Sequence, residues 1–99
     1  MFIGFFELGA TVFGLVMSQN ASGISTAPDA TPTFRVYGGS STTLATGTCA
    51  AFDALNLNYV YSFSFTASGG FARGGNYQLV VSYEIGSQPK EVTYSFSIY

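Results

Sequence analysis

The strongest constraint on the fold is a strict alternation of apolar and polar residues in three segments of the chain. Segments 77–85 and 92–98 place a large apolar residue at every second position, and segment 59–66 repeats the pattern with aromatic residues. Successive side chains of a β-strand point to opposite faces, so this alternation is typical of strands with one buried and one solvated face. Three such strands predict a small all-β domain. The predicted buried residues are Tyr59, Tyr61, Phe63, Phe65, Tyr77, Leu79, Val81, Tyr83, Ile85, Val92, Tyr94, Phe96 and Ile98.

Weaker patterns predict the remaining strands. Segment 11–18 is apolar on both faces, which predicts a strand that is central or covered. Segment 49–58 is ambiguous, because residues 52–56 are also compatible with a helical turn. About seven strands without long helical patterns predict an immunoglobulin-like antiparallel β-sandwich. The other strands are expected at 2–7, 33–37, 42–48 and 91–99, with a turn at 86–89.

Two loops have a distinctive composition. Segment 19–32 is long and polar, which predicts a connection that crosses from one sheet to the other. Segment 68–76 is rich in glycine but lies between two strands, so it predicts a hairpin connection and not a phosphate-binding loop. Phe71 is expected under the sandwich. Arg73, at the tip of this loop, is a candidate contact residue.

Composition indicates a globular chain with an unusual surface. The 99 residues, 47% of them hydrophobic, fit a single domain spanning 1–99. Charged residues make up only 8% of the chain, against about 25% in an ordinary soluble domain. A surface with so few charges repels other proteins weakly and favours association. A chain built into a larger assembly tolerates such a surface.

The residue inventory argues against catalysis and against several kinds of ligand. The chain has no histidine, which excludes a Ser-His-Asp triad and a Cys-His zinc site. Cys49 cannot form an intramolecular disulfide and is best interpreted as a small buried hydrophobic residue. The carboxylates Asp29 and Asp53 fit turn or capping roles. A net charge of −2 with three scattered cations argues against nucleic-acid binding. We therefore expect no enzyme activity and no cofactor.

The N-terminal segment is strongly apolar. We interpret residues 2–17 as two short β segments joined near Gly9, with residues 1–10 as an edge strand or contact arm. A signal peptide is the alternative, although no basic residue precedes the apolar run and Glu7 interrupts it. The run is too short and too rich in glycine for a typical membrane span, so no membrane partner is expected.

The two ends of the chain carry the clearest candidates for an interface. Phe2, Phe5 and Phe6 precede the first strong strand, and Tyr99 follows the last one. Chain ends are usually frayed unless they are held, so we expect each end to be tied to its own sheet or to a neighbouring chain. An open strand edge promotes pairing with another subunit. The sequence leaves both alternatives open.

The arrangement of strands and turns also resembles a known family. Phe34-Arg35-Val36-Tyr37, Gly47-Thr48, the strand 59–65, the loop 70–74 followed by Tyr77, and the closing segment 94–98 carry the resemblance. Together they resemble small immunoglobulin-like or macroglobulin-like β-sandwich proteins of the virions of tailed bacteriophages. One departure is Asn58, where such sandwiches often have glycine.

The resemblance implies a non-enzymatic structural protein of the virion. The expected role is a capsid decoration or cement protein, present in many copies and bound to the major capsid protein or to other virion structural proteins. The first alternative is a tail, neck or fibre module. The second is a carbohydrate-binding or adhesion module that uses Tyr37 or Tyr99 as a sugar platform.

Overall fold

The computed structural model describes residues 2–38, 43–53 and 58–99. Within these residues the chain forms eight strands and one short 3-10 turn, Ala67–Gly69. The strands are β1 (Phe2–Phe6), β2 (Thr11–Met17), β3 (Thr33–Tyr37), β4 (Thr43–Thr48), β5 (Ala50–Asp53), β6 (Asn58–Ser64), β7 (Asn76–Ile85) and β8 (Gln88–Ile98).

The strands form two sheets with an immunoglobulin-like order. The five-stranded sheet has the order β1-β8-β7-β3-β4, and the three-stranded sheet has the order β2-β6-β5. In immunoglobulin domains the second, fourth and fifth strands share one sheet, while the third strand joins the last two in the other. Here β2, β5 and β6 correspond to the first group, and β3, β7 and β8 to the second. The predicted β-sandwich is confirmed, with one difference: β1 pairs parallel to β8.

The core lies between the two sheets and is dominated by aromatic rings. Phe65, directly after β6, is fully buried. Its ring centroid lies 5.0 Å from that of Phe96, 5.1 Å from Phe63 and 5.4 Å from Phe71. Rings at these separations contribute roughly 0.5–1.5 kcal/mol per pair beyond the area that they bury. The predicted inward positions of β6, β7 and β8 are confirmed except for Ile85, which is only partly buried and lies outside the core cluster. Phe71 lies under the sandwich as expected.

Tyr77, at the start of β7, ties the glycine-rich loop to the sheet. Its hydroxyl accepts a hydrogen bond from the Ala72 N–H at 2.8 Å and donates one to the Ala72 carbonyl at 3.3 Å. A tyrosine that bonds back to the backbone at this corner is a hallmark of immunoglobulin domains, two residues before their second cysteine. Leu79 occupies that later position and is fully buried.

The long connection after β2 crosses between the sheets, as predicted, and is anchored at several points. The buried Ser18 hydroxyl donates to the Thr26 carbonyl at 2.6 Å. The Tyr83 hydroxyl accepts from the Gln19 N–H and donates to the Gln19 carbonyl, both at 3.2 Å. These bonds fix the loop against β7, so the polar segment has a definite path.

Asp29 closes the β7–β8 hairpin. Its carboxylate accepts hydrogen bonds from the N–H groups of Gly86 at 3.0 Å and Ser87 at 2.7 Å. Both turn residues have positive φ, 58° and 65°, as a two-residue hairpin turn requires. The capping role of Asp29 is confirmed. The turn is tighter than predicted, because β8 already begins at Gln88 and Pro89 pairs with Glu84.

One prediction about the smaller sheet is wrong, and one ambiguous segment is a strand over its described residues. Segment 11–18 was expected in a central or covered position, but β2 is an edge strand of the three-stranded sheet. The ambiguous segment after Cys49 forms strand β5 over Ala50–Asp53 and not a helical turn there. The rest of that predicted turn, residues 54–56, lies outside the described residues, as do Thr42 of the predicted strand 42–48 and the side chains of Phe52 and Asp53. Cys49 itself is buried, as predicted.

Candidate assembly surface

Large apolar side chains exposed to solvent are concentrated on the first two strands. Of the seven such residues among those described, five lie on β1 and β2. Grouped exposed apolar residues often mark interaction sites, whereas apolar residues that are exposed singly are ordinary on protein surfaces. We call this surface the β1–β2 border, defined by Phe2, Phe5, Phe13, Leu15 and Met17.

The topology brings both strands to one side of the sandwich. β1 is an edge of the five-stranded sheet, and β2 is an edge of the three-stranded sheet. Only residues 7–10 connect them, in a turn closed by the Ala10 N–H donating to the Glu7 carbonyl at 3.0 Å. The short connection keeps the two edges close together, so both strands run along the same edge of the sandwich, each with its exposed residues on the outer face of its own sheet.

The row on β2 follows from the period of the strand. Val12 and Val16 point into the sandwich, and Gly14 leaves room for the Tyr61 ring, whose Cζ atom would lie 2.6 Å from a Cβ at that position. The intervening side chains must then point outwards. Phe13 is 73% exposed and Leu15 is 52% exposed, with Met17 next in the row.

The exposed residues of β1 face the other side of the sandwich. Phe2 and Phe5 pair with Ser95 and Ser97 of β8, and these positions lie on the outer face of the five-stranded sheet. The two phenylalanine rings contact each other edge to face, with centroids 5.2 Å apart.

The remaining predicted contact residues have different environments. Phe6 turns inwards, and its ring centroid lies 5.3 Å from that of Phe65. Tyr99 is exposed, and its N–H donates to the Phe6 carbonyl at 3.1 Å, which ties it to β1. Arg73 is exposed in the loop beside Ile98, where the Gly74 N–H donates to the Ile98 carbonyl at 2.6 Å. The structure therefore groups Phe2 and Phe5 at the border and places Phe6 in the packing beneath it.

Sequence reasoning missed the row Phe13, Leu15 and Met17. The signal was present, because residues 11–17 are apolar on both faces. We interpreted that pattern as a strand covered within its own fold, and the structure leaves the outer face open. The neighbouring positions on β6 are Asn58, Val60 and Ser62, and their side chains cover little of the row, which stays exposed.

Charge is distributed unevenly between the two sheets. Neither β2 nor β6 contains a charged residue. By contrast, Arg35, Glu84 and Glu91 are exposed on the five-stranded sheet. Contact surfaces are depleted in charge at their centres, where desolvation of an ion is expensive. The uncharged strands β2 and β6 are therefore the part of the three-stranded sheet that fits a contact surface.

The four edge strands also differ in regularity. β1 has one extra residue against β8, β4 has one against β3, and β5 has one against β6. Bulges of this kind twist an edge and discourage pairing with another chain. β2 pairs with β6 over seven consecutive positions without any shift. It is thus the one edge strand among the described residues that lacks this protection.

A groove lies on the outer face of the five-stranded sheet. It has a volume of about 640 Å³ and is bordered by the aromatic rings of Phe2 and Tyr37. Its polar lining includes the side chains of Asn76, Gln78 and Ser97. The mixture of aromatic and hydrogen-bonding groups is suited to a neutral polar ligand.

The described residues offer little for chemistry. No group of three His, Cys, Asp or Glu residues lies close enough to hold a metal ion within ranges 2–38, 43–53 and 58–99. Burial raises the pKa of the Cys49 thiol, which lowers its thiolate fraction at neutral pH. In the part of the chain that the structure describes, there is no helix with the length and apolarity to span a bilayer. Comparisons of the chain with protein-family models, with curated proteins and with solved structures give no match.

Proposed function

We propose that this chain is a non-enzymatic structural protein of a virion, a capsid decoration or cement protein that binds the shell through its β1–β2 border. The observation that carries the proposal is the concentration of exposed apolar side chains on two neighbouring strand edges. The resemblance to β-sandwich proteins of tailed-phage virions supplies the biological setting. The partner is then the major capsid protein or another virion structural protein.

The energetics of the border suit a cementing role. Full burial of a Phe, Leu or Met side chain contributes about 1.5–3 kcal/mol relative to leaving it exposed. A contact that buries several of them at its centre has the features of a binding hot spot. In a symmetric shell the same contact is repeated many times, so a modest affinity per copy stabilises the whole particle.

The test is co-sedimentation of the purified chain with particles that lack it. We expect the parent chain to bind in numbers set by the shell symmetry. Phe5→Ser and Phe13→Ser should each weaken binding at least about tenfold, equivalent to about 1.4 kcal/mol. Ile85→Ser is the matched control, because Ile85 lies at the hairpin end of β7, outside the β1–β2 border.

The number of bound copies separates the two virion roles. Stoichiometric binding over the shell supports the cement role. A handful of copies per particle would move the assignment to a neck, tail or fibre module. Absence of binding by the parent chain, or equal loss in the Ile85→Ser control, would contradict the proposed use of the border.

The groove on the five-stranded sheet favours a second candidate, a carbohydrate-binding or adhesion module. Phe2 and Tyr37 would stack on sugar rings, and Gln78 would bond to their hydroxyls. A glycan array tests this role, with Tyr37→Ala as the variant. Binding to a defined glycan that Tyr37→Ala abolishes would support it, and an array with no signal would remove it.

A further inference from the structure

The backbone of β2 has a free hydrogen-bonding edge, and its pairing with β6 shows which residues form it. The Phe65 N–H donates to the Ala10 carbonyl at 2.9 Å, which makes these two residues a hydrogen-bonded pair. In an antiparallel ladder such pairs recur at every second residue. The backbone groups of Phe13, Leu15 and Met17 therefore point away from β6. The same three residues carry the exposed apolar row.

The position of the row favours a contact at the edge. The apolar side chains form an unbroken row on the outermost strand, whereas the next strand inwards presents the mixed set Asn58, Val60 and Ser62 beside them. A further strand added beside β2 would place its side chains directly against Phe13, Leu15 and Met17. It would also satisfy their N–H and carbonyl groups.

The chemistry of the edge indicates what occupies it. In a contact across a two-fold axis, residue i meets residue j of the other copy and only a residue on the axis meets itself, so a strand with charges of one sign would bring like charges together. β2 and β6 have no charged residue, and the row is apolar along its length. An antiparallel copy of β2 centred on Leu15 places Phe13 opposite Met17 of the other copy. All three positions of the row then form apolar pairs.

We propose that two copies of this chain pair through β2, antiparallel about a two-fold axis at Leu15, and join their three-stranded sheets into one continuous sheet. The inference rests on the proposed assembly role and names a contact between copies within it. The merged apolar rows of the two copies form a larger surface, which remains available for the shell. β1, with its bulge, takes no part in the pairing.

Cysteine cross-linking tests the pairing. In the proposed dimer the two Leu15 Cα atoms are about 5.5 Å apart. Leu15→Cys should therefore give a covalent dimer with a short bifunctional thiol reagent. Ser62→Cys is the matched control: its two copies would be separated by three strand spacings, about 14 Å, and should stay monomeric. The parent chain controls for Cys49, which is buried.

Mixed variants test the register. Phe13→Cys alone should not cross-link, because its two copies would be offset by about four residues, or about 14 Å along the strands. An equimolar mixture of Phe13→Cys and Met17→Cys should give the covalent dimer. Cross-linking of Phe13→Cys to itself, or equal cross-linking of Leu15→Cys and Ser62→Cys, would overturn the proposed pairing.

Sedimentation equilibrium provides a measurement without reagents. Leu15→Lys places two ammonium groups opposite each other and should weaken the dimer at least tenfold, while Ser62→Lys leaves it unchanged. Near-ultraviolet circular dichroism checks that both variants are folded. Two results together would refute the pairing. The parent chain would stay monomeric at millimolar concentration, and the Leu15→Cys variant would not cross-link when it is mixed with particles.

The two proposals fail separately. A chain that binds particles without pairing through β2 keeps the proposed function and loses this inference. A chain that pairs through β2 and does not bind particles keeps the inference and loses the cement role.

Discussion

The outer faces of the two sheets differ sharply in polarity. The five-stranded sheet presents polar and charged residues such as Gln78, Glu84 and Arg35, and both its edge strands are bulged. The three-stranded sheet presents the row Phe13, Leu15 and Met17 along a regular edge. The five-stranded sheet is therefore mostly a polar surface, with exposed phenylalanines only on its edge strand β1, whereas the edge of the three-stranded sheet has the features of an interface.

Burial within the fold does not account for all apolar residues of the chain. Both faces of β2 are apolar, but the core uses only Val12 and Val16. Natural edge strands usually carry charges, prolines or bulges that prevent association. β2 has no charge and no proline, and its pairing shows no bulge. Its composition makes sense if a second protein surface completes it.

The largest expected effect on stability comes from comparing a Leu→Ala substitution at a buried position with the same substitution at an exposed position. Leu79→Ala removes a fully buried side chain of the five-stranded sheet and should lower the free energy of unfolding by about 2–5 kcal/mol. Leu15→Ala makes the same change on the exposed row. In dilute solution it should alter stability by no more than about 0.5 kcal/mol. Urea unfolding of both variants is the measurement. A large loss from Leu15→Ala in the monomer would mean that β2 is covered by its own fold.

A smaller effect on stability is expected at Tyr77, whose hydroxyl ties the glycine-rich loop to the five-stranded sheet. Tyr77→Phe removes both hydrogen bonds to Ala72 and leaves the ring in place. We expect a loss of about 0.5–1.5 kcal/mol, because water can reach Ala72 and replace part of the bonding. Tyr99→Phe is the control, since its exposed hydroxyl should contribute nothing measurable. Equal unfolding midpoints for Tyr77→Phe and the parent chain would show that the hydrogen bonds between Tyr77 and Ala72 do not contribute to stability.

The smallest effect concerns groups at the interface between the sheets. Burial raises the pKa values of Cys49, Tyr61 and Tyr94 above their ordinary values of 9.0 for cysteine and 10.0 for tyrosine. As pH rises through these values, the unfolded chain loses its protons before the folded chain does. The folded state then binds more protons, and the free energy of unfolding falls with increasing pH.

Urea midpoints measured from about pH 8 to about pH 11 check this sign. Stability should be constant up to the ordinary pKa of cysteine and decline above it. Tyr61→Phe removes one of the titrating groups and should make the decline shallower. A midpoint that rises with pH in this range would show that these groups are not buried as the structure places them.

Much of the larger sheet was predictable from sequence because its strands alternate cleanly. The inward positions of β7 and β8 follow from period two alone, and Asp29 was recognisable as a turn residue. The smaller sheet was harder. A strand that is apolar on both faces, such as β2, gives the same pattern whether its own fold or a partner covers it. The short strand β5 had no clear period at all.

The candidate surface was predictable in part. Phe2 and Phe5 stood out as aromatic residues near one end of the chain, and the structure exposes both. Phe6 belongs to the same run, but the bulge between Phe2 and Gly4 changes the alternation, and Phe6 points inwards. Sequence alone gives no register for such a strand, so it cannot tell which of three neighbouring aromatics is exposed.

Alternation and composition are local properties, and they were sufficient to predict an all-β sandwich with few charges and no histidine-based chemistry. The positions of the strands at the sheet edges could be read only from the tertiary structure. Edge position depends on pairing between residues distant in sequence, such as Phe2 with Ser95 and Thr11 with Ser64. An apolar strand is buried in the core when it lies in the centre of a sheet, and it is available as an interface when it lies at the edge. That distinction arises only when the sheets are assembled.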